Sequence, residues 1–255
     1  MFINNSFLEK SMNNCIYDLT ILRDQLFIPD FRNNKLIIFG LPECNVLSTF
    51  DVSMPHGISV DQNDKIYICT YKQNSIVIIE NDISICKENA QFDNPVSIAV
   101  QDNYAIIANW GKGNTGNLIF SNDGFKTFEK FTEEWAESKP HAVRINSRNE
   151  ILVVYRNSPG LVIYDTNGNV LKQRILSDEF DPLSIVEYQS HYLVPNYTDG
   201  KIYIFQSSLN NLDHFYGGGY DPTNLSIWNN MLFVSEEKAN RILYVNLKNI
   251  DNLLN

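Results

Sequence analysis

The chain has 255 residues, of which 44% are hydrophobic and 20% charged, as expected of a globular protein that can bury a substantial core. Its net charge of −10 disfavours nucleic acid as a partner, because a protein that binds phosphate backbones needs a basic stripe, and we find none in the sequence.

The first residues predict neither export nor membrane insertion. Residues 1–15 (MFINNSFLEKSMNNC) have no basic start followed by an apolar core. No apolar run approaches the roughly 20 residues that span a bilayer. We therefore expect a cytoplasmic protein without a membrane partner. The four cysteines stand singly in strand-like runs without C-x-x-C spacing, which predicts buried reduced thiols.

Six similar units follow one another from residue 15 onward. The first, CIYDLTILRDQLFIPDFRNNKLIIF, lacks the proline that opens the other five at positions 55, 95, 140, 182 and 222. Each unit has a short apolar strand, a polar turn, two further β-rich runs and, in most units, a weaker fourth strand. Four strands in about 40 residues are typical of a β-propeller blade.

We therefore predict one all-β domain over residues 1–255, a six-bladed β-propeller with inner strands that begin near residues 17, 57, 96, 142, 183 and 223. The blades are expected at about 15–53, 54–93, 94–138, 139–180, 181–220 and 221–247. The sixth unit runs out before a fourth strand. Residues 2–9 (FINNSFLE) are expected to supply that strand and close the ring, because closure hides two exposed strand edges.

The second unit, PHGISVD…IYICT…NSIVII, resembles the repeat of the NHL family of six-bladed propellers. The resemblance covers essentially the whole chain. It implies the fold more than the function, because such propellers serve as scaffolds, receptors and enzymes.

The units also predict which side chains meet at the channel. In a propeller the first strand of each blade lines the central channel, and the turn between the second and third strands lies on the same face. The inner ring at the mouth is then Tyr17, His56, Val96, His141, Leu183 and Thr223. The outer ring, from the turns, is Phe31, Tyr71, Trp110, Arg156, Tyr197 and Glu237. Aromatic side chains with a few charges around a funnel favour a small-molecule pocket. The predicted substrate-binding residues are Tyr17, Tyr71, Trp110, Tyr197 and Glu237.

The two inner-ring histidines each follow a blade-opening proline, in MPHGIS and KPHAV on alternate blades. This arrangement resembles the peptidylglycine-amidating lyases, propellers of the NHL type. The resemblance implies that His56 and His141 are two of three zinc ligands and that Arg156 is catalytic. The third alternate blade carries Thr223, which is a poor zinc ligand, so that Glu236 or Glu237 would have to complete the site.

Three interpretations of the mouth remain open. The first is a cytoplasmic enzyme that acts on a small polar or anionic metabolite. In it His56 and His141 bind a divalent metal such as zinc or exchange protons without one, and Arg156 anchors the substrate. Metal-assisted lyase or hydrolase chemistry fits it best. The second is a noncatalytic module that binds a ligand or a protein segment. In the third, the histidines merely fill polar space against the backbone.

Overall fold

The computed structural model describes residues 16–113, 116–132, 138–157, 160–216 and 221–249. Within these ranges the secondary structure consists of β-strands and one short 3-10 turn, Leu247–Asn249. The predicted all-β, six-bladed propeller is confirmed. In the same ranges no helix is long and apolar enough to cross a membrane.

The first three blades are antiparallel sheets of four strands each, in chain order from the channel outward. Blade one has β1 (Thr20–Leu22), β2 (Gln25–Asp30), β3 (Lys35–Gly40) and β4 (Asn45–Asp51). Blade two has β5 (Pro55–Val60), β6 (Ile66–Thr70), β7 (Ser75–Glu80) and β8 (Ile83–Glu88). Blade three has β9 (Pro95–Gln101), β10 (Tyr104–Asn109), β11 (Asn117–Ser121) and β12 (Glu129–Lys130).

The remaining blades repeat this pattern. Blade four has β13 (Pro140–Ile145), β14 (Ile151–Tyr155), β15 (Gly160–Tyr164) and β16 (Val170–Ile175). Blade five has β17 (Val186–Tyr188), β18 (His191–Asn196), β19 (Lys201–Gln206) and β20 (Asn211–Tyr216). Blade six has three described strands, β21 (Pro222–Trp228), β22 (Met231–Glu236) and β23 (Arg241–Asn246).

Each inner strand begins within three residues of its predicted start. The largest differences are in β1 and β17. In blade five, Pro182 forms an isolated bridge to Asn196, so the chain enters the sheet at the expected proline before the continuous strand begins. The strand expected at residues 2–9 lies outside the described residues.

The core is divided among the blade interfaces. One apolar cluster lies between each pair of neighbouring blades, including the pair formed by blades six and one. In β14, for example, Val153 packs towards blade three and Val154 towards blade five, because successive side chains of a strand point to opposite faces. Middle strands are therefore buried on both faces, which explains their nearly continuous apolar sequences.

The outer strands face solvent, and one sequence expectation fails there. Every residue of β8 is exposed, including Cys86. The prediction of buried thiols is therefore wrong for Cys86. Cys69, in the middle strand β6, is buried, and Cys44 is half-buried. Cys15 lies outside the described residues.

Candidate functional site

An irregularity at the start of the inner strands explains why a histidine twice follows a proline. The prolines that open β5, β9, β13 and β21 pair with the last residue of the second strand, and the register shifts directly after each of them. Proline can occupy this position because it has no N–H to give to the ladder. A β-bulge re-aims the side chain that it displaces. The residues so displaced are His56, Val96, His141 and Thr223.

A cavity of about 230 Å³ opens at this mouth of the channel. Its lining consists of the inner-ring and outer-ring residues of blades one to four, namely Tyr17, Phe31, His56, Tyr71, Val96, Trp110, His141 and Arg156. The structure thus brings the three predicted catalytic residues together with three of the five predicted substrate-binding residues. The cavity lies to one side of the channel axis.

Hydrogen bonds to the backbone determine the tautomer of both cavity histidines. Nδ1 of His56 lies 2.8 Å from the carbonyl oxygen of Val96, and Nδ1 of His141 lies 2.9 Å from that of Leu183. A carbonyl oxygen only accepts, so Nδ1 donates in each ring and carries the proton. Nε2 is left unprotonated in both imidazoles, and it is the nitrogen that can accept a proton or bind a metal.

Both imidazoles are uncharged near pH 7. Burial lowers the pKa of His56 to about 4, although its hydrogen bond to Val96 opposes this shift. Burial also lowers the pKa of His141 to about 3, and the positive charge of Arg156 adds to the effect. The cause is mainly the loss of hydration of the charged form.

Neighbouring rings hold the two imidazoles in place. The ring of Tyr17 stacks on His56, with 4.6 Å between centroids and 4° between planes. Trp110 meets His141 edge-on at 5.7 Å between ring centroids. The two histidine rings are 6.2 Å apart, centroid to centroid, and nearly perpendicular. Ring packing and the Nδ1 hydrogen bonds together pre-orient both imidazoles.

The guanidinium of Arg156 is held by the carboxylate of Asp181, which does not line the cavity. Arg156 donates from Nε and Nη2 to the two oxygens of Asp181. This bidentate pair fixes the plane of the guanidinium and does not use Nη1. The Cζ atom of Arg156 also lies 5.6 Å from the ring centroid of Trp110.

Lys139 is a neighbour of the cavity that the sequence interpretation missed. Its ammonium lies 4.3 Å from the ring centroid of Trp110, and the residue is only 6% exposed. Burial lowers the pKa of Lys139, and the charge of Arg156 lowers it further. The signal was available in KPHAV, where a lysine directly precedes a blade-opening proline.

The structure does not bring Tyr197 and Glu237 into the cavity. The hydroxyl of Tyr197 donates to Glu237 at 3.2 Å, and the ammonium of Lys238 lies 5.1 Å from the ring centroid of Tyr197. On the same side, the hydroxyl of Thr223 is buried and donates to the carbonyl of Ile16 at 3.0 Å. Tyr197 and Glu237 therefore contact each other, and Thr223 contacts blade one.

The donors at the mouth offer a divalent metal two protein ligands. Within the described ranges, no group of three His, Cys, Asp or Glu side chains could hold a metal ion. Glu236, one candidate for the third ligand, is fully buried and pairs with Arg241, while Glu237 is bonded to Tyr197. The two neutral imidazoles fit a divalent ion only if water or substrate fills its other positions.

A buried ion pair crosses the channel, and the sequence interpretation did not anticipate it. Nη2 of Arg144 in β13 donates to Asp18 of blade one at 2.8 Å and also lies 3.4 Å from the amide oxygen of Asn224, while Nη1 lies 3.3 Å from the hydroxyl of Ser97. The side chain of Asp18 is 3% exposed and also accepts from the backbone N–H of Ile58. Charged residues within the apolar stretches IYDLTI and HAVRI were the available signal.

Comparison with known proteins shows only that the fold is shared. No family model matches the chain, and no curated protein matches its sequence. The structure is similar to a catalytically inactive histidine-to-alanine variant of virginiamycin B lyase from Staphylococcus aureus with quinupristin, at a TM-score of 0.73 and 14% identity over 92% of this chain and 81% of that one.

Two further solved structures are similar. The selenomethionine-substituted virginiamycin B lyase from Staphylococcus aureus has a TM-score of 0.71 and 13% identity, covering 96% of this chain and 97% of that one. Kuenenia stuttgartiensis hydrazine synthase has a TM-score of 0.73 and 13% identity, covering 99% and 82%. Similarity at such low identity shows a shared propeller and assigns no activity.

Proposed function

We propose that this propeller is an enzyme that acts on a small polar or anionic metabolite at the channel mouth, by lyase or hydrolase chemistry. The observation that carries the proposal is one cavity lined by two neutral imidazoles with unprotonated Nε2 atoms and by one arginine. Virginiamycin B lyase, which has a similar fold, is an example of a propeller that carries lyase chemistry. The resemblance of the positions of His56, His141 and Arg156 to the amidating lyases supports the lyase class.

The cavity residues divide the work of proton transfer. Nε2 of one imidazole accepts a proton from the substrate or from water, and the same imidazole, now protonated, returns that proton to the leaving group. Arg156 binds the anionic group of the substrate and holds it beside both rings. A bound anion raises the proton affinity of a nearby imidazole, because an opposite charge favours the protonated form. Substrate binding thereby raises the pKa values of the imidazoles, which burial has lowered.

A divalent metal is the alternative to proton transfer by the imidazoles, because an Nε2 atom that binds a metal cannot accept a proton. It would be held by Nε2 of His56 and His141 and would act as a Lewis acid towards the substrate or water. The backbone hydrogen bonds at Nδ1 are the support that metal-bound histidines generally have.

A second candidate function is a noncatalytic binding module. It is favoured by the clamp of Asp181 on Arg156, which gives the cavity a rigid recognition group, and by the incomplete metal ligand set.

Substitution of His141 by asparagine tests the catalytic role. In His141→Asn the amide can still donate to the carbonyl of Leu183, but Nε2 is lost. With a metabolite mixture analysed by mass spectrometry, we expect wild-type turnover and a loss of about 10²- to 10⁴-fold in the variant. His191→Asn is the matched control, because this half-buried histidine also bonds a backbone carbonyl but lies at the start of β18 and does not line the cavity. Equal activity of His141→Asn and wild type would reject the enzyme.

The metal is tested separately by thermal melting with added Zn²⁺. We expect the ion to raise the melting temperature of the wild type, because a ligand that binds only the folded state stabilises it. His56→Asn should abolish the shift, whereas His191→Asn should retain it. A shift that persists in His56→Asn and His141→Asn would locate the metal elsewhere.

A further inference from the structure

The cavity is unusual in the shape of the groups that line it. Seven of its eight lining side chains end in a flat, delocalised group, and Val96 is the exception. Six of these form pairs: Tyr17 stacks on His56, Trp110 meets His141 edge-on, and the tilted rings of Phe31 and Tyr71 lie 6.3 Å apart, centroid to centroid. Flat faces of this kind favour a ligand that presents its own π face or edge, because ring quadrupoles attract in stacked and edge-to-face arrangements.

The cavity has room for a single ring. A volume of about 230 Å³ has room for about eight waters at ~30 Å³ each. A covalently bonded ligand packs somewhat more densely than water, so that about ten non-hydrogen atoms fit. This is the size of one six-membered ring with a short acidic substituent.

The charge of the lining favours a monoanion. Among the described residues that line the cavity, Arg156 is the only arginine, lysine or carboxylate side chain. The bidentate pair with Asp181 uses Nε and Nη2, so the Nη1 edge of the guanidinium is the one able to serve a ligand. Lys139, on the face of Trp110, adds a second positive charge close by.

We propose that the cavity takes a flat aromatic carboxylate of one ring, with the ring between the aromatic walls and the carboxylate against Arg156. This inference rests on the function proposed above and names its substrate class. The Nε2 atoms of His56 and His141 then meet the substituents of the ring.

The test is a binding panel measured by calorimetry on the full chain. Benzoate and phenylacetate are the probes, cyclohexanecarboxylate is the matched anion without a π face, and benzamide is the matched ring without charge. We expect both aromatic acids to bind, and cyclohexanecarboxylate to bind roughly two- to tenfold more weakly, as the loss of aromatic contacts predicts. Benzamide should bind more weakly by roughly tenfold or more, because its contact with Arg156 is not charge-assisted.

Two arginine variants locate the site. Arg156→Gln should weaken benzoate binding by roughly tenfold or more and leave benzamide nearly unchanged. Arg174→Gln is the control, since Arg174 lies on the outer strand β16 of the same blade, 5.7 Å from the ring of Phe205. The wild-type panel decides the ligand class even if Arg156→Gln does not fold.

Three results would overturn the proposal: equal affinity for cyclohexanecarboxylate and benzoate, equal affinity for benzamide and benzoate, or no binding of either aromatic acid. Binding of aromatic acids with no turnover of any of them by the wild type contradicts the enzyme and leaves the ligand class standing. Turnover of a metabolite without an aromatic ring supports the enzyme and contradicts the ligand class.

Discussion

At the scale of single residues, the two cavity histidines link the site to the stability of the protein. Their pKa values fall from 6.5 to about 4 for His56 and to about 3 for His141. In the unfolded chain both imidazoles take up protons below pH ~6.5, whereas the folded protein keeps them neutral. The unfolded state therefore binds more protons in this range, and stability falls as the pH falls.

We predict that His141→Asn loses less stability on acidification than the wild type. Between about pH 7 and about pH 5 the difference should be about 2 kcal/mol, the linkage contribution of one buried neutral histidine. Urea unfolding at both pH values measures it. Carboxylates titrate equally in both proteins, so the comparison isolates the imidazole. The same pH dependence in wild type and variant would mean that His141 is not held neutral by the fold.

At the scale of elements, the sixth blade is where the chain would close. Among the described residues its sheet has three strands, while the other blades have four. Beside it lies an apolar cavity of about 200 Å³, between Leu41, Pro42 and Cys44 of blade one and Trp228, Met231, Phe233 and Tyr244 of blade six. An outer edge that pairs with no other described strand, next to an apolar recess, is what a further strand would fill.

Deletion of residues 1–8 should therefore destabilise the whole domain, whereas deletion of residues 250–255 should have little effect. Both segments lie outside the described residues, so closure of the ring stays a prediction. For the N-terminal deletion we expect the melting temperature to fall by roughly 5 °C or more. In a protein of this size, each 1 kcal/mol of lost unfolding free energy lowers the melting temperature by about 2–4 °C. Equal melting temperatures for the full-length and N-truncated proteins would contradict this closure.

At the scale of the whole molecule, the pair of Arg144 and Asp18 ties opposite blades together across the channel. Asp18 is nearly fully buried, and burial raises its pKa while Arg144 opposes that rise. Removal of the cation alone would leave a buried carboxylate without its partner. We predict that Arg144→Met loses about 3–5 kcal/mol of unfolding free energy, as broken buried ion pairs do.

The double variant Arg144→Met with Asp18→Asn should recover part of this loss, because it buries no unpaired charge. Arg174→Met on an outer strand is the control and should cost far less. Urea denaturation of the four proteins gives the comparison. If Arg144→Met were as stable as Arg174→Met, the cross-channel pair would contribute little to holding the ring.

Much of the fold and part of the site could be predicted from the sequence. The six repeats, the all-β class and the order of strands within a blade follow from local patterns of apolar runs and turns. Repeat equivalence also placed His56, His141, Arg156, Tyr71 and Trp110 on one face, and the structure has them around one cavity. Their chemical roles remain predictions.

Other features depended on contacts between residues far apart in the chain. The one-sided cavity, the clamp of Asp181 on Arg156 and the reach of Arg144 to Asp18 are not encoded in any single repeat. Repeat equivalence predicted that Tyr197 and Tyr71 both bind the substrate, yet Tyr197 donates a hydrogen bond to Glu237 outside the cavity. Sequence periodicity determined which residue types reach the mouth. Only the packed ring decided which of them meet, because side-chain partners depend on distances across blades that a local pattern does not contain.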